Sequence, residues 1–265
     1  MTKQLYTPKI GSTIKITLLA TASMLLAACG DAADDNQAAA DIAQETQQAA
    51  QSAPAETAQV ADTTPAETVS AEEAGFLNHD MVMGDPNAPI EIIEYASLTC
   101  NHCATFHNNV LPRIKEKYVD TGKVKIVFRS YMLNAIDMTA SSISRCLPER
   151  RYFPFMNMLF ERQMQWYDVA KYQELSANND QETANRLFVE SVMGEIEKYA
   201  RQAGLNKAKI DACLANEEVG KYLFEVQQHA VQHYKVNATP TIIINENKVG
   251  NDYASIERAI EAALN

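Results

Sequence analysis

The chain has 265 residues, enough for one domain of good size with its own hydrophobic core or for two small ones. It carries 23 lysine and arginine residues against 34 aspartate and glutamate residues, which gives a formal net charge of −11 at pH 7. This acidic balance disfavours nucleic acid as a partner, and the composition is not that of a fibre or a repeat array.

Residues 1–28 have the pattern of an export signal: three lysines, no acidic residue and an apolar run at 16–28 that is short for a membrane span. The run ends in LAACG, which resembles the lipobox of bacterial lipoproteins. That resemblance implies cleavage before Cys29 and lipidation of its thiol. An ordinary signal peptide with an unrelated cysteine is the alternative. We expect a lipid-anchored protein on the periplasmic side of the bacterial cell envelope, with about −14 net charge once three lysines are removed.

Residues 29–75 are rich in alanine, glutamine, glutamate, threonine and proline, and almost no large apolar side chain interrupts them. Such a composition predicts a disordered tether, because it cannot bury enough apolar surface to fold. It also lacks apolar heptads, so we expect no oligomerisation module there and a monomeric protein. The folded domain is predicted at 76–265.

Within that domain the residue pattern predicts mixed α/β structure. The β-branched letters IEIIEY at 90–95 predict a strand, and helical spacing predicts a helix at 100–120, capped by Thr99 and kinked by Pro112. A second strand is expected at 124–129. Helix-forming residues dominate 138–233 and predict an all-helical insertion. Strands at 240–245 and 248–249 and a helix at 254–264 complete the order.

The stretch SLTCNHC places Cys100 and Cys103 three positions apart at the start of the first predicted helix. Backbone N–H groups and the positive end of the helix dipole favour a thiolate at Cys100. Cys103 lies one turn further on the same face, within disulfide reach. His102, between them, could add positive charge near the Cys100 sulfur. The arrangement predicts a redox couple in which Cys100 attacks and Cys103 resolves the mixed disulfide.

Two other interpretations of these cysteines are weaker. A zinc site needs about four ligands, whereas Cys100, Cys103 and His107 supply at most three and the chain has no second CxxC. Two inert core thiols would be unusual in an exported protein. We therefore expect no metal and no cofactor, and His107 is interpreted as a helix-surface or packing histidine.

Taken together, a strand, CxxC at a helix start, a helical insertion and Ala-Thr-Pro before an apolar strand resemble the thioredoxin fold. More specifically, they resemble the DsbA-like periplasmic thiol-disulfide oxidoreductases. The resemblance extends from about residue 81 to the C-terminus and is carried by EYASLTCNHC, KVKIVFR and ATPTIIIN. It implies an α/β thioredoxin fold with an all-helical insertion.

The resemblance also implies roles for residues outside the CxxC. Pro240 would be a cis-proline whose loop, together with Thr239, binds the substrate backbone beside Cys100. Glu94 matches the acid beneath the active site of the family and would relay the proton of Cys103. The alternative for Glu94 is a solvated strand glutamate.

Two departures leave the direction of redox flow open. Asn101 stands where DsbA has proline, and Thr239 before the proline is also compatible with disulfide isomerases. An oxidase acting on unfolded or reduced exported proteins, served by a membrane redox partner, is the favoured interpretation. An isomerase or reductase kept reduced by such a partner and a non-catalytic lipoprotein binding module are the alternatives.

Cys146 and Cys213 remain once Cys29 and the CxxC pair are assigned. Paired cysteines persist as disulfides in an oxidising compartment, so a structural bridge between these two is expected. A second disulfide in the insertion also resembles a subset of alphaproteobacterial DsbA-like proteins. Two free buried thiols are the alternative.

Overall fold

The computed structural model describes residues 75–265, and every structural statement below concerns that part of the chain. The predicted signal peptide at 1–28, the lipidation site Cys29 and the tether as far as residue 74 lie outside it. Among residues 75–265, no helix combines the length and the apolar character needed to cross a membrane.

A five-stranded mixed sheet in the order β1-β3-β2-β4-β5 forms the centre of the domain. β2 runs parallel to β3 and antiparallel to β4, while β1 and β5 pair antiparallel at the two edges. The strands are β1 Met81–Met83, β2 Ile90–Ala96, β3 Val124–Ser130, β4 Thr241–Ile244 and β5 Asn247–Val249. The short strand β1 was not predicted from the sequence.

The central strand β2 is buried on both faces. Ile92 contributes to an apolar cluster on one face, and Ile93 and Tyr95 contribute to another cluster on the opposite face. A strand covered on both sides is a continuous apolar run rather than an alternating one. Glu94, within that run, is therefore placed in the interior.

The helix predicted at 100–120 is divided into three pieces. An α-helix ends at Asn109, a short helix follows Val110, and a π-helical turn spans Lys115–Val119. Pro112 accounts for the break, because it has no N–H to donate to the preceding turn and its ring crowds the carbonyl four residues earlier.

The helical insertion lies between β3 and β4. The helices are α1 Asn101–Asn109, α2 Leu111–Ile114, α3 Ala135–Arg145, α4 Glu149–Glu161, α5 Gln163–Trp166, α6 Val169–Asn178, α7 Gln181–Gln202, α8 Lys207–Leu214, α9 Glu217–Gln232 and α10 Tyr253–Leu264. Helices α3 to α9 form the insertion, and its aromatic core is continuous with the buried side of α1, where Cys103 and Ala104 lie. The predicted thioredoxin fold with an all-helical insertion is confirmed.

Candidate active site

Cys100 occupies the N-cap position of α1, where β2 gives way to the helix. Its backbone is extended, with φ −82° and ψ 119°, and its Sγ accepts the backbone N–H of Cys103 at 3.4 Å. The prediction that Thr99 caps the helix was wrong by one residue. Thr99 Oγ1 instead lies 3.2 Å from Ser97 Oγ, because the chain turns into the helix one residue later than expected.

The two sulfurs of the CxxC have very different surroundings. Cys100 is partly exposed, while Cys103 is fully buried at 0% exposure. The pKa of Cys100 is lowered to about 5, first by a hydrogen bond from the Cys103 thiol, against desolvation, and then by the Thr239 side chain and nearby backbone N–H groups. Burial raises the pKa of Cys103, and its hydrogen bond to Cys100 raises it further. Cys100 is thus the accessible thiolate and Cys103 the protonated inner thiol.

The loop before β4 closes the other side of Cys100. The Thr239–Pro240 peptide bond is cis, and the Cys100 Sγ lies 3.5 Å from the carbonyl oxygen of Thr239. The structure therefore brings the three residues together, although 139 positions separate Cys100 from Thr239 in the chain. The cis-proline loop thus lies directly beside the Cys100 sulfur.

Glu94 and His107 form a buried pair beneath the CxxC. His107 Nε2 lies 2.9 Å from Glu94 Oε1, and the two side chains are 4% and 1% exposed. The His107 ring stacks on Phe160 with 3.8 Å between centroids. Of the two interpretations of His107, packing is therefore right and helix surface is wrong. Its spacing of four residues from the buried Cys103 was the available signal, since residues four apart share a helix face.

The negative charge of Glu94 acts on Cys103, whose thiol pKa it helps to raise. Glu94 Oε2 and His107 Nδ1 are buried and have no hydrogen-bond partner among residues 75–265. His102, by contrast, is exposed and acts on the Cys100 sulfur through its backbone N–H. The Glu94–His107 pair is thus the polar neighbour of the CxxC on the Cys103 side.

A family model described as Thioredoxin matches residues 77–262. The chain belongs to the thioredoxin family. Its relatives include a putative protein-disulfide oxidoreductase of Rickettsia typhi, 26% identical over 189 residues, in a match that covers 71% of this chain and 63% of the relative. The chain therefore matches less than two thirds of that relative's length.

Two solved structures are similar to this thioredoxin-family chain. The protein-disulfide isomerase of Novosphingobium aromaticivorans is 27% identical with a TM-score of 0.60, covering 70% of this chain and 97% of that one. Wolbachia pipientis alpha-DsbA1 is 28% identical with a TM-score of 0.58, covering 70% and 90%. These similarities confirm the predicted DsbA-like form of the thioredoxin fold.

The second cysteine pair lies in the insertion that this thioredoxin-family chain carries. Cys146, at the end of α3, is joined to Cys213 of α8 in a disulfide with 6.1 Å between the Cα atoms. Cys213 is buried, and the bond links segments 67 residues apart. The bond thus joins a partly exposed cysteine at the end of α3 to a buried cysteine in α8.

Sequence reasoning missed the insertion residues that hold the segment leading into Cys100. Gln163 Nε2 donates to the carbonyl oxygens of Leu98 and Cys100, at 2.8 Å and 2.9 Å. Asp137 accepts the backbone N–H of Leu98 at 2.9 Å. These side chains stand in helices whose sequence carries no catalytic motif. Among residues 75–265, no three histidine, cysteine, aspartate or glutamate side chains meet in a way that could hold a metal ion.

Proposed function

We propose that this chain is a thiol-disulfide oxidoreductase that introduces disulfides into unfolded or reduced exported proteins. One observation carries the proposal: Cys100 is an accessible helix N-cap thiol with a pKa lowered to about 5, directly beside a buried partner thiol. A low pKa stabilises the reduced form of such a pair, and the disulfide is correspondingly a stronger oxidant. The names of the relatives, which include oxidoreductase and isomerase, support the same class of chemistry.

The exchange begins when a substrate thiolate attacks the Cys100 sulfur of the oxidised pair. The Cys100–Cys103 bond breaks, and its electron pair leaves on Cys103, which takes up a proton because burial disfavours its thiolate. A second substrate thiolate then attacks the substrate sulfur of the mixed disulfide. The substrate disulfide forms, and Cys100 leaves as a thiolate. The substrate is oxidised by two electrons and the CxxC pair is reduced by two.

The remaining residues have supporting roles in this proposal. Thr239 and Pro240 hold the substrate backbone beside Cys100, supported by the short distance between the Cys100 sulfur and the Thr239 carbonyl. Glu94, paired with His107, supplies or accepts the proton of Cys103, supported by its burial and its effect on that thiol. A membrane redox partner that accepts electrons by disulfide exchange returns the pair to the oxidised form.

The direction of the reaction is tested by equilibrating the CxxC pair with glutathione. With a Cys100 pKa of about 5, the reduced form gains up to about 3 kcal/mol at pH 7, which corresponds to about 60 mV toward the oxidant. We expect a potential well above that of thioredoxin, near −270 mV, and rapid oxidation of a reduced, unfolded substrate. A potential at or below the thioredoxin value would make the protein a reductase.

A disulfide isomerase is the second candidate. The similarity to a structure named protein-disulfide isomerase favours it, and so does Thr239 before the cis-proline. An isomerase must act as a reduced thiol on a substrate with wrong disulfides. Refolding of a scrambled, multiply bridged substrate by the reduced protein, faster than oxidation of a reduced substrate by the oxidised protein, would favour this candidate.

The proposal also places the protein at the periplasmic side of a bacterial membrane, held by lipid on Cys29. Its support is the LAAC sequence at 26–29 after a short apolar run. We expect the Cys29→Ser variant to be retained as an uncleaved precursor or released. Acyl mass on the first residue of the wild-type protein is the direct measurement. Wild-type protein that washes from membranes like a soluble marker would contradict the anchor.

A further inference from the structure

Three side chains of the insertion hold residues 97–100, which we call the CxxC loop. Gln163 of α5 donates to two carbonyl oxygens of the loop, and Asn134, the N-cap of α3, donates to Thr99 Oγ1 at 3.0 Å. Asp137 of α3 accepts the Leu98 N–H at 2.9 Å. Side chains of the insertion therefore fix the position of the loop. Neutral side chains would be enough to make these hydrogen bonds.

Asp137 differs from the other two because it carries a charge into the interior. The residue is 1% exposed, and its second carboxylate oxygen accepts the Leu133 N–H at 3.1 Å. Burial raises the pKa of Asp137 to about 6, against hydrogen bonds from Ser97, Leu133 and Leu98, and the charge of Cys100 raises the pKa further. Burying a carboxylate costs free energy because the charge loses its hydration. A charged group at this position, beside a thiolate, therefore needs a physical explanation.

Two titratable groups couple electrostatically with Asp137, whose carboxylate accepts the N–H of Leu98, two positions before Cys100. One is the Cys100 thiol at the N-cap of α1, and the other is the Tyr167 hydroxyl after α5, whose pKa is raised by burial and by the charge of Asp137. Like charges oppose each other, so a thiolate at Cys100 and a carboxylate at Asp137 destabilise one another. The coupling is reciprocal: whatever Cys100 does to the pKa of Asp137, Asp137 does to that of Cys100.

We propose that Asp137 is a positioning residue that holds the backbone leading into Cys100 and whose charge weakens the Cys100 thiolate. The inference rests on the proposed oxidoreductase function. Through Asp137 the insertion sets an upper limit on the oxidising power of the CxxC pair. The hydrogen bond to Leu98 keeps the carboxylate beside the loop, and the charge then opposes the helix N-terminus that stabilises the thiolate.

The Asp137→Asn substitution separates the two roles by the sign of its effect. Asparagine keeps one acceptor oxygen and removes the charge, so the Cys100 pKa should fall by about half a unit to one unit. At pH 7 the equilibrium with glutathione should then move roughly 3- to 10-fold toward the reduced protein. The Cys100 pKa is measured by thiolate absorbance, and the equilibrium by trapping free thiols.

A purely structural role would give the opposite result. Loss of the Leu133 hydrogen bond alone would loosen the start of α3 and, through Asn134 and Asp137, the CxxC loop. The N–H groups that stabilise the Cys100 thiolate would then be held less well and the Cys100 pKa would rise, so a rise or no change overturns the proposal. Asp180→Asn, which neutralises the exposed N-cap of α7, is the matched control and should leave both measurements unchanged. The reduction potential of the wild-type CxxC pair, measured in the same series, tests the proposed function separately. The effect of Asp137→Asn is a difference between two proteins, so it does not depend on where the wild-type potential lies.

A measurement without any substitution at Asp137 covers the case in which Asp137→Asn does not fold. The Asp137 carboxyl is followed by carbon-13 NMR against pH in the oxidised and the reduced wild-type protein. Reciprocity requires a higher Asp137 pKa in the reduced protein, where Cys100 is a thiolate, than in the oxidised protein. Equal values in the two redox states would overturn the proposed coupling.

Discussion

The described part of the chain contains two cysteine pairs, of which one is free and the other is bonded. Cys100 and Cys103 are three positions apart at a helix start, one partly exposed and one buried, and both are free thiols. Cys146 and Cys213 are 67 positions apart, lie between helices of the insertion, and are bonded to each other. Each pair has one partly exposed and one buried member, while the bonding, the hydrogen-bond donors and the chain separation differ.

This contrast teaches that the surroundings of a cysteine decide its chemistry. At the CxxC, N–H groups and the Cys103 thiol stabilise a thiolate on the side that substrates can reach. At the second pair, the Cys213 sulfur lies 3.2 Å from the carbonyl oxygen of Ser142, inside the core. The first pair is suited to exchange. The second pair closes a long loop and so restricts the unfolded chain.

Replacement of Cys100 by serine should cause the largest loss of activity, in a protein that still folds. The hydroxyl does not ionise near neutral pH, so oxidation of a reduced substrate should fall by about a thousandfold or more. Thermal unfolding should show a folded protein. The variant with serine at both Cys146 and Cys213 is the control and should retain most activity. A Cys100→Ser protein that still oxidises substrate would remove the nucleophile assignment.

The same double serine variant should show the largest effect on stability. Closing a loop of this length stabilises a protein by about 4 kcal/mol in the chain-entropy model, which corresponds to roughly 10 °C in the melting temperature of a domain of this size. Thermal unfolding of both proteins, with the CxxC reduced in each, measures it. An unchanged melting temperature would mean that the second pair has no structural role.

A third prediction concerns the pH dependence of stability. The folded pKa of Cys100, about 5, lies below the ordinary value of a thiol. Ionisation of Cys100 therefore stabilises the folded protein fully above the ordinary thiol pKa. This stabilisation is lost as pH falls through the folded pKa. Compared with Cys100→Ser, the reduced wild-type protein should gain about 2 to 3 kcal/mol between pH 4.5 and pH 7. Denaturant unfolding at several pH values measures the difference, and a flat difference would refute the lowered pKa.

The smallest expected effect is that of His102→Ala. The imidazole is exposed and the backbone N–H that acts on Cys100 remains in alanine, so the Cys100 pKa should rise by only a few tenths of a unit. Thiolate absorbance against pH measures the change. A rise of more than one unit would show that the side chain, rather than the helix start, stabilises the thiolate.

Much of the fold could be predicted because its signals are local. The β-branched run of β2 and the helix formers of the insertion reflect the preferences of neighbouring residues, and Pro112 breaks its own helix. The same holds for the CxxC, because its spacing and its position at a helix start suffice to indicate a redox pair. The short strand β1 escaped prediction since three residues carry little pattern.

The surroundings of the CxxC could be decided only by the tertiary structure. Glu94 meets His107 across 13 positions, Asp137 meets Leu98 across 39, and Gln163 meets Cys100 across 63. A polar residue in a strand or helix has the same local pattern whether it faces solvent or a buried partner. The partner is chosen when the sheet and the insertion pack together. The sequence by itself thus indicated which two sulfurs form the CxxC pair at a helix start, and packing decided which buried charges surround them.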